Sequence, residues 1–152
     1  MSIATPPQPP SSMTVSPNSG SGAQRVFRFV YTDPNGAADF DLVQLLFNTG
    51  VNGVSACYIL YHAPSNSTYL AVDAGMGSTG PAPPGAPVTL QNSQCSLNLA
   101  ASAVSRSGND LILDLSLSFK ASFAGARNVY MWARDKGGLS LGWLQAGAWT
   151  VP

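Results

Sequence analysis

The chain has few charged residues and no glutamate at all. Only 9 % of its 152 residues are charged, against roughly 25 % in an average soluble domain. The chain has 7 lysine and arginine residues in total and 7 acidic residues, all of them aspartate, so the formal net charge is zero. Without a basic excess the chain cannot neutralise a row of phosphates, and nucleic acid is not expected as a partner.

Long apolar runs are missing as well. No stretch approaches the ~20 apolar residues of a membrane-spanning helix, so membrane insertion is not expected. The first residues lack a basic start and an apolar stretch, so we expect no signal peptide here. Two interpretations remain, a cytosolic domain or a fragment of a longer secreted parent, and a Met-Ser start followed by proline-rich sequence favours the fragment. The apolar fraction of 45 % is still enough for one domain with a core.

Cysteine is scarce, with only Cys57 and Cys95 present. Their spacing matches no zinc or redox motif. Because the other features of the chain are typical of extracellular proteins, we predict that these two cysteines form a disulfide. A pair of reduced, buried cysteines is the alternative.

The scarcity of histidine restricts catalysis. His62 is the only histidine and thus the only candidate base for a serine or cysteine triad. It lies at a predicted strand end beside Pro64 with no nucleophile motif nearby, and we interpret it as a surface turn residue. Most of the seven aspartates lie in or beside predicted turns, where aspartate is structural. The sequence therefore predicts a protein that is not an enzyme.

What is present divides the chain into two parts. Residues 1–24 are rich in proline, serine and glycine, a composition typical of a tail or linker. Within this tail, residues 13–15 are a candidate edge strand that would dock on the chain's own sheet or on a neighbour's. Residues 25–152 form the predicted folded domain.

Residues 25–152 alternate between apolar and polar positions, which is the signature of β-strands. The clearest run is Leu111–Phe119, with an apolar residue at every second position. About 7–9 short strands separated by turns predict an all-β antiparallel sandwich. Residues 74–87 are rich in glycine, proline and alanine and predict a long loop.

Two segments resemble parts of known modules. Residues 31–36, Tyr-Thr-Asp-Pro-Asn-Gly, followed by Asp41-Leu42, resemble a strand and turn of bacterial immunoglobulin-like and cadherin-like repeats. Residues 129–138 resemble the late strand and turn of those modules. The whole domain, which ends with Gly-Trp at 142–143 and Trp-Thr-Val-Pro at 149–152, is also similar to domains of large secreted proteins from soil bacteria. The resemblance implies an immunoglobulin-like extracellular sandwich that acts as a spacer, an adhesion module or a binding module.

Aromatic residues near the end of the chain form a candidate ligand platform. Tyr130 and Trp132 share the presumed outer side of one strand, with Arg134 beside them. Trp143 and Trp149 are close in sequence and would extend this surface. Because sandwich modules bind glycans by stacking sugar rings on exposed aromatics, a carbohydrate-binding module is an alternative function. The competing interpretation is that these rings pack on the sandwich itself.

Four side chains with oxygen ligands occur within nine residues and are weak candidates for a calcium site. They are Asp33, Asn35, Asp39 and Asp41. Their spacing departs from the EF-hand loop, where the fifth position would be Ala37. Because turn and capping roles explain the same residues, no metal site and no cofactor is predicted.

Together these patterns predict a non-catalytic structural or adhesive module of a larger secreted or cell-surface protein. Its expected location is extracellular, and its expected partners are neighbouring domains or protein chains, with glycans in the carbohydrate-binding alternative. A further alternative is a subunit of an extracellular filament, in which the N-terminal arm pairs with a sheet edge of the next chain.

Overall fold

Residues 6–152, which the computed structural model describes, consist almost entirely of β-strands. The all-β antiparallel sandwich predicted from the alternation is confirmed, with eleven strands in place of about 7–9. In this part of the chain no helix is long and apolar enough to cross a membrane. The strands are β1 (Ser12–Ser16), β2 (Gln24–Thr32), β3 (Phe40–Asn48), β4 (Cys57–His62), β5 (Ser67–Ala71), β6 (Ser78–Ala82), β7 (Thr89–Gln91), β8 (Cys95–Ser107), β9 (Asp110–Phe119), β10 (Gly125–Asp135) and β11 (Ser140–Val151).

The strands form two sheets that pack face to face. The five-stranded sheet has the order β1-β2-β9-β8-β7, and the six-stranded sheet has the order β11-β10-β3-β4-β5-β6. Neighbouring strands pair antiparallel throughout both sheets. Each sheet contributes one apolar face to the layer between them, as expected for stacked antiparallel sheets.

The core lies between β2 and β9 on one side and β3 and β10 on the other. The apolar positions of Leu111–Phe119 point inward, and Leu113 and Leu115 are each only 1 % exposed. Phenylalanine rings of both sheets meet edge-on, with the Phe27 and Phe47 centroids 5.2 Å apart. The predicted inward face of β9 is thus confirmed.

The disulfide predicted between Cys57 and Cys95 is present. It joins the first residue of β4 in the six-stranded sheet to the first residue of β8 in the five-stranded sheet, with the Cα atoms 5.7 Å apart. Both cysteines are fully buried. The bond therefore links the two sheets through the core.

The segment that we interpreted as a tail contributes two structural elements. Strand β1 pairs with β2 of the same chain, and Met13 and Val15 are buried in the core. The following residues cross to the six-stranded sheet, where Ala148 N–H donates to Asn18 O at 3.0 Å and Thr150 N–H donates to Gly20 O at 2.9 Å. Residues 12–22 therefore close one side of the sandwich, in cis.

The loop predicted at residues 74–87 is interrupted by β6. This edge strand pairs with β5, with Ala82 opposite Thr68 and Thr79 opposite Leu70. Gly80 favours this pairing, because its φ is +101° and a Cβ there would lie 2.8 Å from the carbonyl oxygen of Thr68. Composition predicted a loop because glycine and proline disfavour interior strands, but both are tolerated at a sheet edge.

Candidate functional site

The outer face of the six-stranded sheet holds every aromatic side chain that remains partly exposed in the chain. These five residues form what we call the aromatic face, and they are Tyr58, Tyr69, Tyr130, Trp132 and Trp143. The other nine aromatic side chains are buried. A sheet face on which aromatics are concentrated in this way is a candidate interaction surface.

Cross-strand register arranges the aromatic face in rows. In one row Leu46 of β3 lies between Tyr130 of β10 and Tyr58 of β4. In the next row Gln44 lies between Trp132 and Leu60, and Leu60 is followed by Tyr69 on β5. At ~4.8 Å per strand, the second row is roughly 14 Å long from β10 to β5. That length suits an extended ligand.

Trp143 is directed onto this face by irregular pairing of β11. Trp132 on β10 is opposed by both Gly142 and Trp143, because Leu141 pairs with Ala133 and Leu144 pairs with Met131. Such a β-bulge re-aims a side chain. The Trp143 ring then meets the ring of Tyr58 edge-on, with centroids 6.0 Å apart.

The aromatic rings cover the middle of β3. Leu46 points away from the core yet is only 1 % exposed, and Gln44 beside it is also buried. The Tyr58 hydroxyl donates to Gln44 Oε1. Burial raises the pKa of Tyr58 above its ordinary value, so this hydroxyl stays protonated as a donor. The hydrogen bond to Gln44 fixes the orientation of the Tyr58 ring.

Charged groups border the aromatic face at one end. Arg134 donates to Asp41 Oδ2 from Nε at 3.0 Å and from a terminal nitrogen at 2.8 Å. The Arg134 guanidinium carbon also lies 5.7 Å from the Trp132 ring centroid. His62 Nε2 lies 3.4 Å from Asp41 Oδ1. These groups offer planar hydrogen-bonding partners next to the rings.

The candidate platform predicted from sequence requires one correction. Tyr130, Trp132, Arg134 and Trp143 share the outer face, but Trp149 is only 4 % exposed and lies in the core. An extra residue, Ala146, interrupts the pairing of β11, since Gln145 pairs with Tyr130 and Gly147 pairs with Val129. This shift of one residue turns Trp149 to the opposite face from Trp143.

Tyr58 and Tyr69 also belong to this surface, although the sequence did not predict them as ligand residues. In β4 and β5 these two tyrosines alternate with the buried residues Ile59 and Leu70, a pattern that places both tyrosines on the outer side of their strands. The two-residue alternation shows only which side of its own strand a residue occupies. Only the strand order shows that β4 and β5 lie in the same sheet as β10.

Two depressions of the surface are candidate ligand sites. One of about 370 Å³ lies on the aromatic face, lined by Leu42, Leu60, His62, Tyr69 and Ser78. A larger one of about 530 Å³ lies near the disulfide end and has polar walls. Its one aromatic ring, Phe123, is covered by the Arg127 guanidinium at 4.0 Å. The first depression therefore fits a ring-stacking ligand better.

The outer face of the five-stranded sheet is different in character. Strand β9 presents Asp114, Ser116 and Ser118 there, and Asp114 forms a 2.8 Å ion pair with Arg28 of β2. Partly exposed aromatics are confined to the six-stranded sheet. The asymmetry indicates which side of the sandwich is suited to a ligand.

The structure brings two residues to His62 that the sequence did not connect with it. His62 Nδ1 lies 2.6 Å from Ser65 Oγ, and Asp41 lies on the other side of the ring. The residue types are those of a hydrolytic triad, but Ser65 lies at Nδ1 and Asp41 at Nε2, the reverse of the arrangement in a serine-hydrolase triad. Ser65 Oγ donates to Ser67 Oγ at 2.9 Å, and Ser67 Oγ donates to the Ser65 carbonyl. Ser65 Oγ is thus shared between His62 and Ser67, and the donor in its contact with His62 depends on the imidazole tautomer.

The weak calcium candidates do not come together as one group. Asp41 pairs with Arg134, and the Asn35 side chain binds Pro6 O and Gln8 N–H. Asp33 and Asp39 instead meet Asp135, which the sequence analysis did not select. Asp135 lies about a hundred residues further along the chain, so spacing alone could not reveal this cluster.

Comparison of the chain with protein-family models, with curated proteins and with solved structures found no match to any of them. The assignment of a function consequently depends on the fold and on the surfaces described above.

Proposed function

We propose that this chain is a non-catalytic adhesive module that binds oligosaccharides on the aromatic face of the six-stranded sheet. The observation that carries the proposal is the gathering of five partly exposed aromatic side chains on that one face. The carbohydrate-binding alternative and the adhesive role predicted from sequence become one function here, because holding a glycan is a way of adhering.

The chemistry of the face favours a sugar over an apolar partner. Sugar rings present C–H groups to aromatic faces and hydroxyls to polar side chains at their edges. The aromatic face supplies both, with Trp132 and Trp143 as stacking surfaces and with Arg134, Asp41 and His62 along one border. Binding sites in general combine a mostly apolar lining with a few placed polar groups.

An extracellular location is part of the proposal. The disulfide between Cys57 and Cys95 supports it, because such bonds persist in oxidising compartments. The low charge of the chain and the sugar-binding geometry agree with a module carried by a secreted or cell-surface protein.

Affinity electrophoresis against soluble β-glucans, xylans, mannans and chitin oligosaccharides, followed by calorimetry on the best ligand, tests the proposal. We expect Trp143→Ala and Trp132→Ala each to weaken binding about tenfold or more, which corresponds to about 1.4 kcal/mol. Ile112→Ala, on the outer face of the other sheet, is the matched control and should bind as the parent does.

Tyr58→Phe separates stacking from hydrogen bonding, because it keeps the ring and removes the hydroxyl that binds Gln44. A far-ultraviolet spectrum and a melting curve for each variant show that the fold is kept. Absence of retardation on the whole panel, or equal binding by parent and both tryptophan variants, would refute the proposal.

A further inference from the structure

Three carboxylates meet at the end of the sandwich opposite to the disulfide. Asp33 follows β2, Asp39 ends the short 3-10 turn Ala37–Asp39, and Asp135 is the last residue of β10. One oxygen atom from each lies within 4.8 Å of the other two. The cluster therefore joins the five-stranded sheet, through the end of β2, to the six-stranded sheet, through the end of β10.

The surroundings of the cluster do not compensate its charge. Asp33 is fully buried and Asp135 is 2 % exposed. Among residues 6–152, none of the three carboxylates takes part in an ion pair. The ion pairs there join Arg28 to Asp114, and both His62 and Arg134 to Asp41. Burying carboxylates without a cationic partner is unfavourable, so a cluster of this kind calls for a counter-charge.

Two of the three carboxylates, those of Asp33 and Asp135, are each oriented by a backbone donor to one of their oxygen atoms. Asp33 Oδ1 accepts the N–H of Asn35 at 2.8 Å, and Asp135 Oδ1 accepts the N–H of Leu139 at 2.8 Å. The second oxygen of Asp33, Oδ2, is buried and has no hydrogen-bond partner among the described residues. A buried, unpartnered carboxylate oxygen next to two other carboxylates is what a bound cation would satisfy.

We propose that Asp33, Asp39 and Asp135 bind a calcium ion that clamps the two sheets together at this end of the sandwich. The donor set consists of hard oxygen atoms and contains neither histidine nor cysteine, which favours calcium over zinc.

The ion would act with the disulfide as a second link between the sheets. Asp135 is opposite Phe40 at the start of β3, whereas Cys57 is opposite Phe47 near its end. The two links therefore hold the sandwich at opposite ends. The clamp is independent of glycan binding, and its test does not require a sugar.

Thermal melting and calorimetry of the full chain test the site, with CaCl₂ added after treatment with EDTA. For a Kd of about 10⁻⁴ M, about 10 mM calcium should raise the Tm by roughly 5–10 °C. NaCl at equal ionic strength should not reproduce this rise, and MgCl₂ should give a smaller one, since magnesium demands a stricter geometry.

Substitutions distinguish a metal site from a structural cluster. Asp33→Asn and Asp39→Asn should abolish the calcium response, and in EDTA their Tm should equal or exceed that of the parent because repulsion is relieved. Asp114→Asn, outside the cluster, should keep the full response. Asp39 is only partly buried, so its variant remains informative if Asp33→Asn fails to fold. Absence of calcium binding by the parent, a response matched by NaCl, or an undiminished response in Asp39→Asn would overturn the proposal.

Discussion

The indole N–H of Trp149 donates a hydrogen bond to the carbonyl oxygen of Gly22 at 2.9 Å. The same indole packs edge-on against Phe27 of the core, with ring centroids 4.9 Å apart. Trp149 therefore anchors the N-terminal segment to the last strand while filling the interior. A Cβ at Gly20 would lie 2.8 Å from the Trp149 ring, so the docked segment requires glycine at that position.

Gly147→Ala should destabilise the protein by about 1–3 kcal/mol, the usual cost of overpacking. A Cβ at Gly147 would lie 2.5 Å from the carbonyl oxygen of Asn18, so the docked segment must shift. Gly142→Ala on the same strand is the control, because nothing lies within 4 Å of its Cβ position. Melting curves should show a lower Tm for the first variant only. Coincident curves for the two would mean that residues 18–22 are not held on β11.

Leu113→Ala should lower the free energy of unfolding by about 2–5 kcal/mol, because it leaves a cavity between the sheets. Leu113 is buried in the centre of β9, opposite Phe29. Urea unfolding measures the change, and Val26→Ala provides a control at an exposed strand position. A midpoint for Leu113→Ala equal to that of the control would contradict the inward facing of β9.

Removing the disulfide by the double substitution Cys57→Ala and Cys95→Ala should cost about 4 kcal/mol, as expected for a bridge with a sequence separation of 38 residues. The bond restricts the unfolded chain, so its loss makes unfolding more favourable. Reductant should lower the Tm of the parent and leave that of the double variant unchanged. If alkylation of the denatured, unreduced parent labels two thiols, the bond is not formed.

Acid should weaken the contact between Asp73 and Ser93, which links the loop after β5 to the turn before β8. The side-chain and backbone hydrogen bonds from Ser93 lower the pKa of Asp73. Because the folded pKa lies below the unfolded value of 3.8, ionised Asp73 stabilises the fold above about pH 4. This contribution is lost as the pH falls through the folded pKa.

Asp73→Asn should therefore be less stable than the parent near pH 7, and the difference should shrink below about pH 4. Ser93→Ala removes the hydroxyl but keeps the backbone donor, so it should show part of the same loss. Chemical unfolding at a series of pH values measures the difference. A difference that stays constant down to pH 2 would show that Asp73 ionisation does not contribute.

Local patterns were sufficient for the fold class and for part of the core. The alternation of Leu111–Phe119 depends only on the two-residue repeat of a strand, so the sequence predicts both the strand and its apolar side. The pairing of Cys57 with Cys95 followed from composition and from the number of cysteines. These features need no knowledge of which strands are neighbours.

The surfaces could not be derived in this way. Trp143 and Trp149 are six residues apart and would share a face in a regular strand, but the extra residue in the pairing of β11 separates them. Likewise, Asp135 joins Asp33 and Asp39 only because the ends of β2 and β10 meet across the two sheets. The sequence by itself determined the strands and their apolar faces, since these are local properties of the backbone. Strand order, bulges and sheet packing decided which side chains meet, because they arise from hydrogen bonds and contacts between distant parts of the chain.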